Sequence, residues 1–188
     1  MSHTGSPDPA GATAPEPADG TNRDARLAAT AGYSPDEWRL LTRLPGRVIV
    51  AASSPDPGNP ARAVAEGLAG LDGIAAGRAF DSELVRAVVA AIYAESDDGR
   101  SAPVRDHHAD RGRTELLRSC RAAVTTLARH ADPADSAAYR QWVQSVAARV
   151  CRAAGPDGRP RPFGEPVAPE QRDLLDRLGE ALGLRPAG

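Results

Sequence analysis

The chain contains no lysine; all 23 of its cationic residues are arginine. Together with its abundant Ala, Gly and Pro, this points to a GC-rich coding sequence, so an arginine here is weak evidence that a guanidinium was needed. A formal net charge of -2 advertises neither a basic nucleic-acid face nor an acidic solvating chain. Aromatic residues are only 4% of the total, which leaves Leu, Val and Ala to build the core. Strand-forming residues are scarce and Ala is the strongest helix former, so composition favours an all-α fold. The two cysteines, Cys120 and Cys151, lack metal-ligand or disulfide spacing and read as small buried hydrophobes. The sequence has neither an apolar run of about 18 residues nor a charged-then-apolar start. No membrane span or signal peptide is therefore expected, and the expected location is cytoplasmic.

What is present suits one domain of ordinary size, roughly 100–200 residues. Residues 1–32 hold Pro7, Pro9, Pro15 and Pro17 and one large aliphatic side chain, Leu27. Such a segment buries too little apolar surface to offset the entropy of ordering, and a disordered tail is expected. A single helical domain is expected over 33–185, beginning at Tyr33-Ser34-Pro35-Asp36-Glu37-Trp38. Here Ser34 serves as N-cap, Pro35 as first helical residue, Glu37 as reciprocal capping partner and Tyr33 as a staple against Trp38 or Arg39.

This helix is expected to break or kink at Pro45-Gly46. The apolar piece 47–53 fits a buried helix or a short strand, and helix is chosen because no partner strand is visible. A loop at 54–58 precedes a helix over 60–76, whose Val64, Leu68, Leu71 and Ala75 are spaced to face the core. Asp81 is the expected cap of a helix over 82–95 carrying Leu84, Val88, Ala91 and Ile92 on one face. The polar stretch 96–112 reads as a long exposed loop. A helix over 114–130 turns Leu116, Leu117, Cys120, Val124 and Leu127 inward. The next, capped by Asp132 or Asp135, runs through Tyr139, Trp142, Val143, Val146 and Val150 to Ala154. After a Pro- and Gly-rich loop, Pro169 opens a last helix with Leu174, Leu175, Leu178 and Leu182 inward, ended by Gly183 as a left-handed cap followed by Leu184. The expected architecture is a compact bundle of six or seven helices with Trp38 and Trp142 as core anchors.

An internal comparison suggests a repeat. Arg47-Val48-x-x-Ala51-Ala52-x-x-Pro55-Asp56-x-Gly58 returns, slightly shortened, as Arg149-Val150-x-x-Ala153-Ala154-x-Pro156-Asp157-Gly158. Either two helix-loop-helix units are stacked about a pseudo-twofold axis, or an Ala/Arg/Pro-rich chain matches itself by chance. From Val150 through Asp157-Gly158, Val167-Ala168-Pro169-Glu170-Gln171 and the run 174–184 closing in Leu182-Gly183-Leu184, the second unit resembles a TerB-like domain of the tellurite-resistance group. The resemblance is clearest over 139–184. It implies two helical repeats, a stress-associated role and a divalent-metal site formed by Asp157 and Glu170 with Asp56 and Glu66. The same residues also read as an ordinary turn at Asp157-Gly158 and as a carboxylate favoured at a helix N-terminus at Glu170.

The densest reactive cluster is Asp106-His107-His108-Ala109-Asp110. Adjacent imidazoles with carboxylates suit transition-metal binding or proton transfer, although a solvated loop explains them equally. Arg111, Arg113, Arg118 and Arg121 form a basic stretch diluted by Glu115. His130, near a helix C-terminus, complements the dipole. No nucleophile elbow, cysteine-protease signature or phosphate-cradling Gly loop occurs. The reading is therefore a non-enzymatic protein-interaction or accessory module whose partner is another protein, with no resident cofactor. A small metal-dependent or acid-base enzyme using His107, His108 and Asp110 is the alternative, and an Arg-driven nucleic-acid binder the second, nucleic acid being the less expected partner.

Overall fold

The computed structural model describes residues 32–53, 59–97, 109–153 and 167–184. Among these residues there are six α-helices and no strand: α1 (Pro35–Ala52), α2 (Pro60–Ala76), α3 (Glu83–Asp97), α4 (Ala109–His130), α5 (Pro133–Ala153) and α6 (Pro169–Ala181), with a 3-10 turn at Gly77–Ala79. The expected tail, but for Gly32, and the loops 54–58 and 154–166 lie outside the described residues. The all-α bundle follows from the composition as expected.

Helix α5 is the axis of the bundle and touches each of the other five. Its Tyr139, Trp142, Val143, Val146, Ala147, Val150 and Cys151 are all fully buried. Around them close Leu41, Leu44 and Val48 of α1, Val85 and Val88 of α3, Leu116, Cys120 and Leu127 of α4, and Leu178 of α6. A smaller cluster joins Ala52, Val150, Cys151 and Leu174, so the two segments that repeat in sequence meet at their ends. The helices that follow them do not pack alike, since α2 buries glycines and α6 leucines.

The start of α1 is built as its local sequence dictates. Glu37 N–H donates to Ser34 Oγ (3.3 Å), Ser34 N–H donates to Glu37 Oε2 (3.0 Å), and the Tyr33 and Trp38 rings lie 6.0 Å apart. The expected break at Pro45 does not occur. The helix passes through Pro45 without interruption, and the reason is a contact 98 residues away in the chain. A proline at 45 withdraws the N–H that the Leu41 carbonyl would accept. In its place the buried Tyr139 hydroxyl donates to Leu41 O at 2.7 Å. The orphan acceptor is satisfied from the core, and Leu44, Pro45 and Val48 stay on one buried face.

Helix α2 departs most from expectation. Val64, Leu68 and Leu71, predicted to face the core, are 60%, 58% and 57% exposed. The buried side carries Glu66, Gly70, Gly73 and Ile74. Close approach is the physical reason. A Cβ at Gly70 would stand 2.7 Å from Ile49 Cγ1, one at Gly73 3.2 Å from Val146 Cα, and one at Gly77 2.7 Å from Trp142 Nε1. With hydrogen in those places, the α2 backbone lies against α1 and α5. The Trp142 indole then donates to Gly73 O at 3.0 Å, while Gly77 N–H turns to the Ile74 and Ala75 carbonyls in the tightened last turn. Asn59 caps the other end, its Oδ1 accepting from Arg62 N–H at 3.1 Å.

Smaller corrections follow the same logic of local bonding. Ser82, not Asp81, caps α3: its Oγ accepts from Val85 N–H at 3.2 Å and donates to Asp135 Oδ1 at 2.7 Å. Of the two candidates for α5, Asp132 is the cap, accepting from Ala134 N–H at 2.8 Å. The expected loop 96–112 is shorter than predicted, because α3 runs to Asp97 and α4 begins at Ala109. The close of α6 matches expectation: Gly183 has φ 65° and Leu184 N–H reaches back to Gly179 O at 2.9 Å.

Candidate functional site

The residues singled out from sequence are not brought together among the described residues. His107 and His108, Asp56 and Asp157 all lie outside them. Asp110 falls in the first turn of α4. Glu170 stands exposed in the first turn of α6. Glu66 is fully buried beneath α2, where its Oε1 accepts from Arg62 Nε at 2.9 Å. A carboxylate withdrawn from water is retained there because a guanidinium accompanies it. Among the described residues, no three His, Cys, Asp or Glu side chains are placed to hold a metal ion.

Of the arginine stretch, the side chains of Arg113, Arg118 and Arg121 are described. Arg118 is engaged by Glu115 one turn earlier, Arg113 is half-buried and Arg121 is exposed. The thiols are not poised for attack either. Burial pushes the Cys120 thiol up to about 12, which removes the thiolate from the neutral range, and Cys151 is also buried and not disulfide-bonded.

One polar cleft, of about 210 Å³, opens where α1, α3 and the α4–α5 junction meet, lined by Tyr33, Glu83, His130, Asp132 and Asp135 among others. The Tyr33 and His130 rings are 5.4 Å apart, and His130 Nε2 lies 3.4 Å from Glu37 Oε1, which Arg129 Nη2 also reaches at 3.0 Å. The Ser34 backbone and hydroxyl bonds, followed by His130 and Arg129, hold the Glu37 carboxyl below its ordinary value. Burial, with Asp135 and Glu37 nearby, raises the Tyr33 hydroxyl. Of the polar groups in and beside the cleft, Glu37 and Asp132 cap helices and Asp135 accepts the Ser82 hydroxyl. The cleft binds the helix ends together, and it contains neither Ser nor Cys placed as a nucleophile.

The other distinctive surface is the outer face of α2. Val64, Leu68 and Leu71 stand at i, i+4 and i+7, with Ala61 and Ala75 in the same stripe. Asp72 is the single exposed charge on the helix, because Arg62 and Glu66 are turned toward the bundle. Val50, on α1, is a further large apolar side chain at 60% exposure. Large aliphatic side chains aligned on a surface helix and unscreened by charged stems mark a contact face. Periodicity found these three residues but assigned them to the wrong side. The discriminating signal was the second series Gly70, Gly73 and Gly77, which has helical spacing of its own. No helix among the described residues is long and apolar enough to cross a membrane. Comparison with protein families, with curated proteins and with solved structures finds no match for this chain.

Proposed function

We propose that this chain is a non-enzymatic helical interaction or accessory module, TerB-like in kind and stress-associated, acting in the cytoplasm on another protein through the outer face of α2. The observation that carries the reading is the trio Val64, Leu68 and Leu71, each more than half exposed on one face where Asp72 is the single exposed charge. Apolar surface of this kind costs free energy in water, and burial against a partner recovers it. Two buried cysteines that form no disulfide fit a reducing compartment.

The test is capture from the native cell with the tagged full chain and with its Leu68→Glu variant. Leu68 is exposed, so the substitution spares the core. The reading predicts a protein recovered consistently with the parent chain and lost with the variant, the circular-dichroism spectrum being unchanged. Equal recovery by both chains overturns it.

A further inference from the structure

We propose that the groove between α1 and α4 holds a phosphoryl group, bound by Arg43, Arg47 and Arg118 beside the Ser119 hydroxyl. This site is separate from the outer face of α2 and does not depend on it.

The register of the two helices brings these residues together. Glu37, near the start of α1, meets Arg129, near the end of α4, at 3.0 Å, and Arg47 Nη1 donates to Ser119 Oγ at 2.9 Å. The helices therefore run antiparallel, and each step along α1 is matched by a step back along α4. Arg43, one turn before Arg47 and about 6 Å from it along the axis, stands across from Ala122, which is exposed and has no side chain beyond Cβ. Glu115 lies one turn before Ser119 on the same side of α4 and draws the Arg118 guanidinium to that side. Three guanidinium groups thus border a gap floored by Ala122 and Ser119.

The balance of charge leaves this gap cationic. In a chain without lysine the choice of arginine means little, but which arginines lack a carboxylate does mean something. The described carboxylates of α1 and α4 are Asp36, Glu37 and Glu115, and Arg39, Arg129 and Arg118 engage them in turn. Among the described residues, no carboxylate is paired with Arg43 or Arg47. The Ser119 hydroxyl accepts from Arg47, and its own proton has no acceptor among the described residues.

The extent of the surplus selects the occupant. Toward the start of α1 the next cation, Arg39, is already held by Asp36, and toward its end the next exposed side chain is Val50. On α4, Arg121 stands almost opposite Ser119 around the helix. The surplus covers about one helical turn, too short a track for the successive phosphates of a nucleic-acid strand. A carboxylate brings one charge and two oxygens. A phosphate monoester brings nearly two charges and three acceptor oxygens, so it can face three guanidinium forks and a hydroxyl at once.

The test is titration of the full chain with sodium phosphate at fixed ionic strength, read by the NMR signals of the arginine Nε–H groups and by thermal unfolding. The parent should saturate with half-occupancy at roughly 0.1–10 mM, and its unfolding midpoint should rise with phosphate. Arg43→Gln and Arg47→Gln should each weaken binding about tenfold with the circular-dichroism spectrum unchanged, both residues being exposed. Arg121→Gln should leave binding as it was. Glu115→Gln should tighten it severalfold, because it removes the carboxylate at the site. Phosphoserine and a nucleoside monophosphate should compete with inorganic phosphate, and the tightest of the three names the source of the group.

No saturation below about 50 mM phosphate overturns the proposal, as does an equal response to sodium acetate. A loss in Arg121→Gln as large as in Arg47→Gln also overturns it, because general charge and not a site is then being read. An oligonucleotide that binds where phosphate does not would assign these arginines to a nucleic acid and overturn it too. Leu68→Glu should bind phosphate as the parent does, so a failure here leaves the α2 reading standing.

Discussion

At the scale of single residues, the bond between the Tyr139 hydroxyl and the Leu41 carbonyl decides whether α1 is one helix or two. Pro45 creates a buried acceptor with no local donor, and such a group costs about 1–3 kcal/mol if left unpaired. Tyr139→Phe should therefore destabilise the chain by about that amount in urea unfolding. In a Pro45→Ala background the restored N–H can bond Leu41 O, and the same Tyr139→Phe change should cost markedly less. Equal costs in both backgrounds would show that the hydroxyl and the proline are not coupled. None of this was legible in the sequence around residue 45, where the local rule correctly identifies a lost hydrogen bond. The compensating donor sits 98 residues further on and becomes a neighbour only when α5 folds against α1. The capping box at Ser34 and Glu37 was legible for the opposite reason, since all its partners lie within one turn.

At the scale of one element, α2 has two rows at helical spacing, one of large aliphatics and one of glycines. The hydrophobic effect alone would bury the first row. Packing buries the second because glycine lets two backbones approach, and the gain extends to an indole hydrogen bond on Gly73 O that wider separation would forbid. Sequence patterning weighs side-chain apolarity and gives hydrogen no weight, so it reads this helix inside out. A glycine within α2 and the one at its C-cap should respond oppositely to alanine. Gly77→Ala places a Cβ 2.7 Å from the rigid Trp142 ring and 2.8 Å from Val89 Cγ2, and should cost about 1–3 kcal/mol through overpacking. Gly67→Ala meets no neighbour and should add about 0.5–1 kcal/mol from helix propensity. Thermal unfolding of both variants checks the pair, and a stabilised Gly77→Ala would refute the close approach of the turn that ends α2 to α5.

At the scale of the whole molecule, the described helices form a bundle organised around α5, with a polar cleft lined in part by capping groups and an apolar face left open. The all-α class was legible because composition acts on every segment at once: few strand formers, abundant alanine, and a cap or proline at most helix starts. The face was not, because exposure is a property of the assembled bundle. His107, His108, Asp56 and Asp157 lie outside the described residues. The long-range pairs that organise the described core, Tyr139 with Leu41 and Trp142 with Gly73, join parts of the chain that no local motif connects.

The orientation of α2 is the claim on which the proposed contact face depends. Equilibrium urea unfolding of Leu68→Glu tests it most directly. With Leu68 in water, the variant should match the parent within about 0.5 kcal/mol. A loss of about 2–5 kcal/mol, the scale expected for a charge forced into a packed core, would place Leu68 inside and contradict the account.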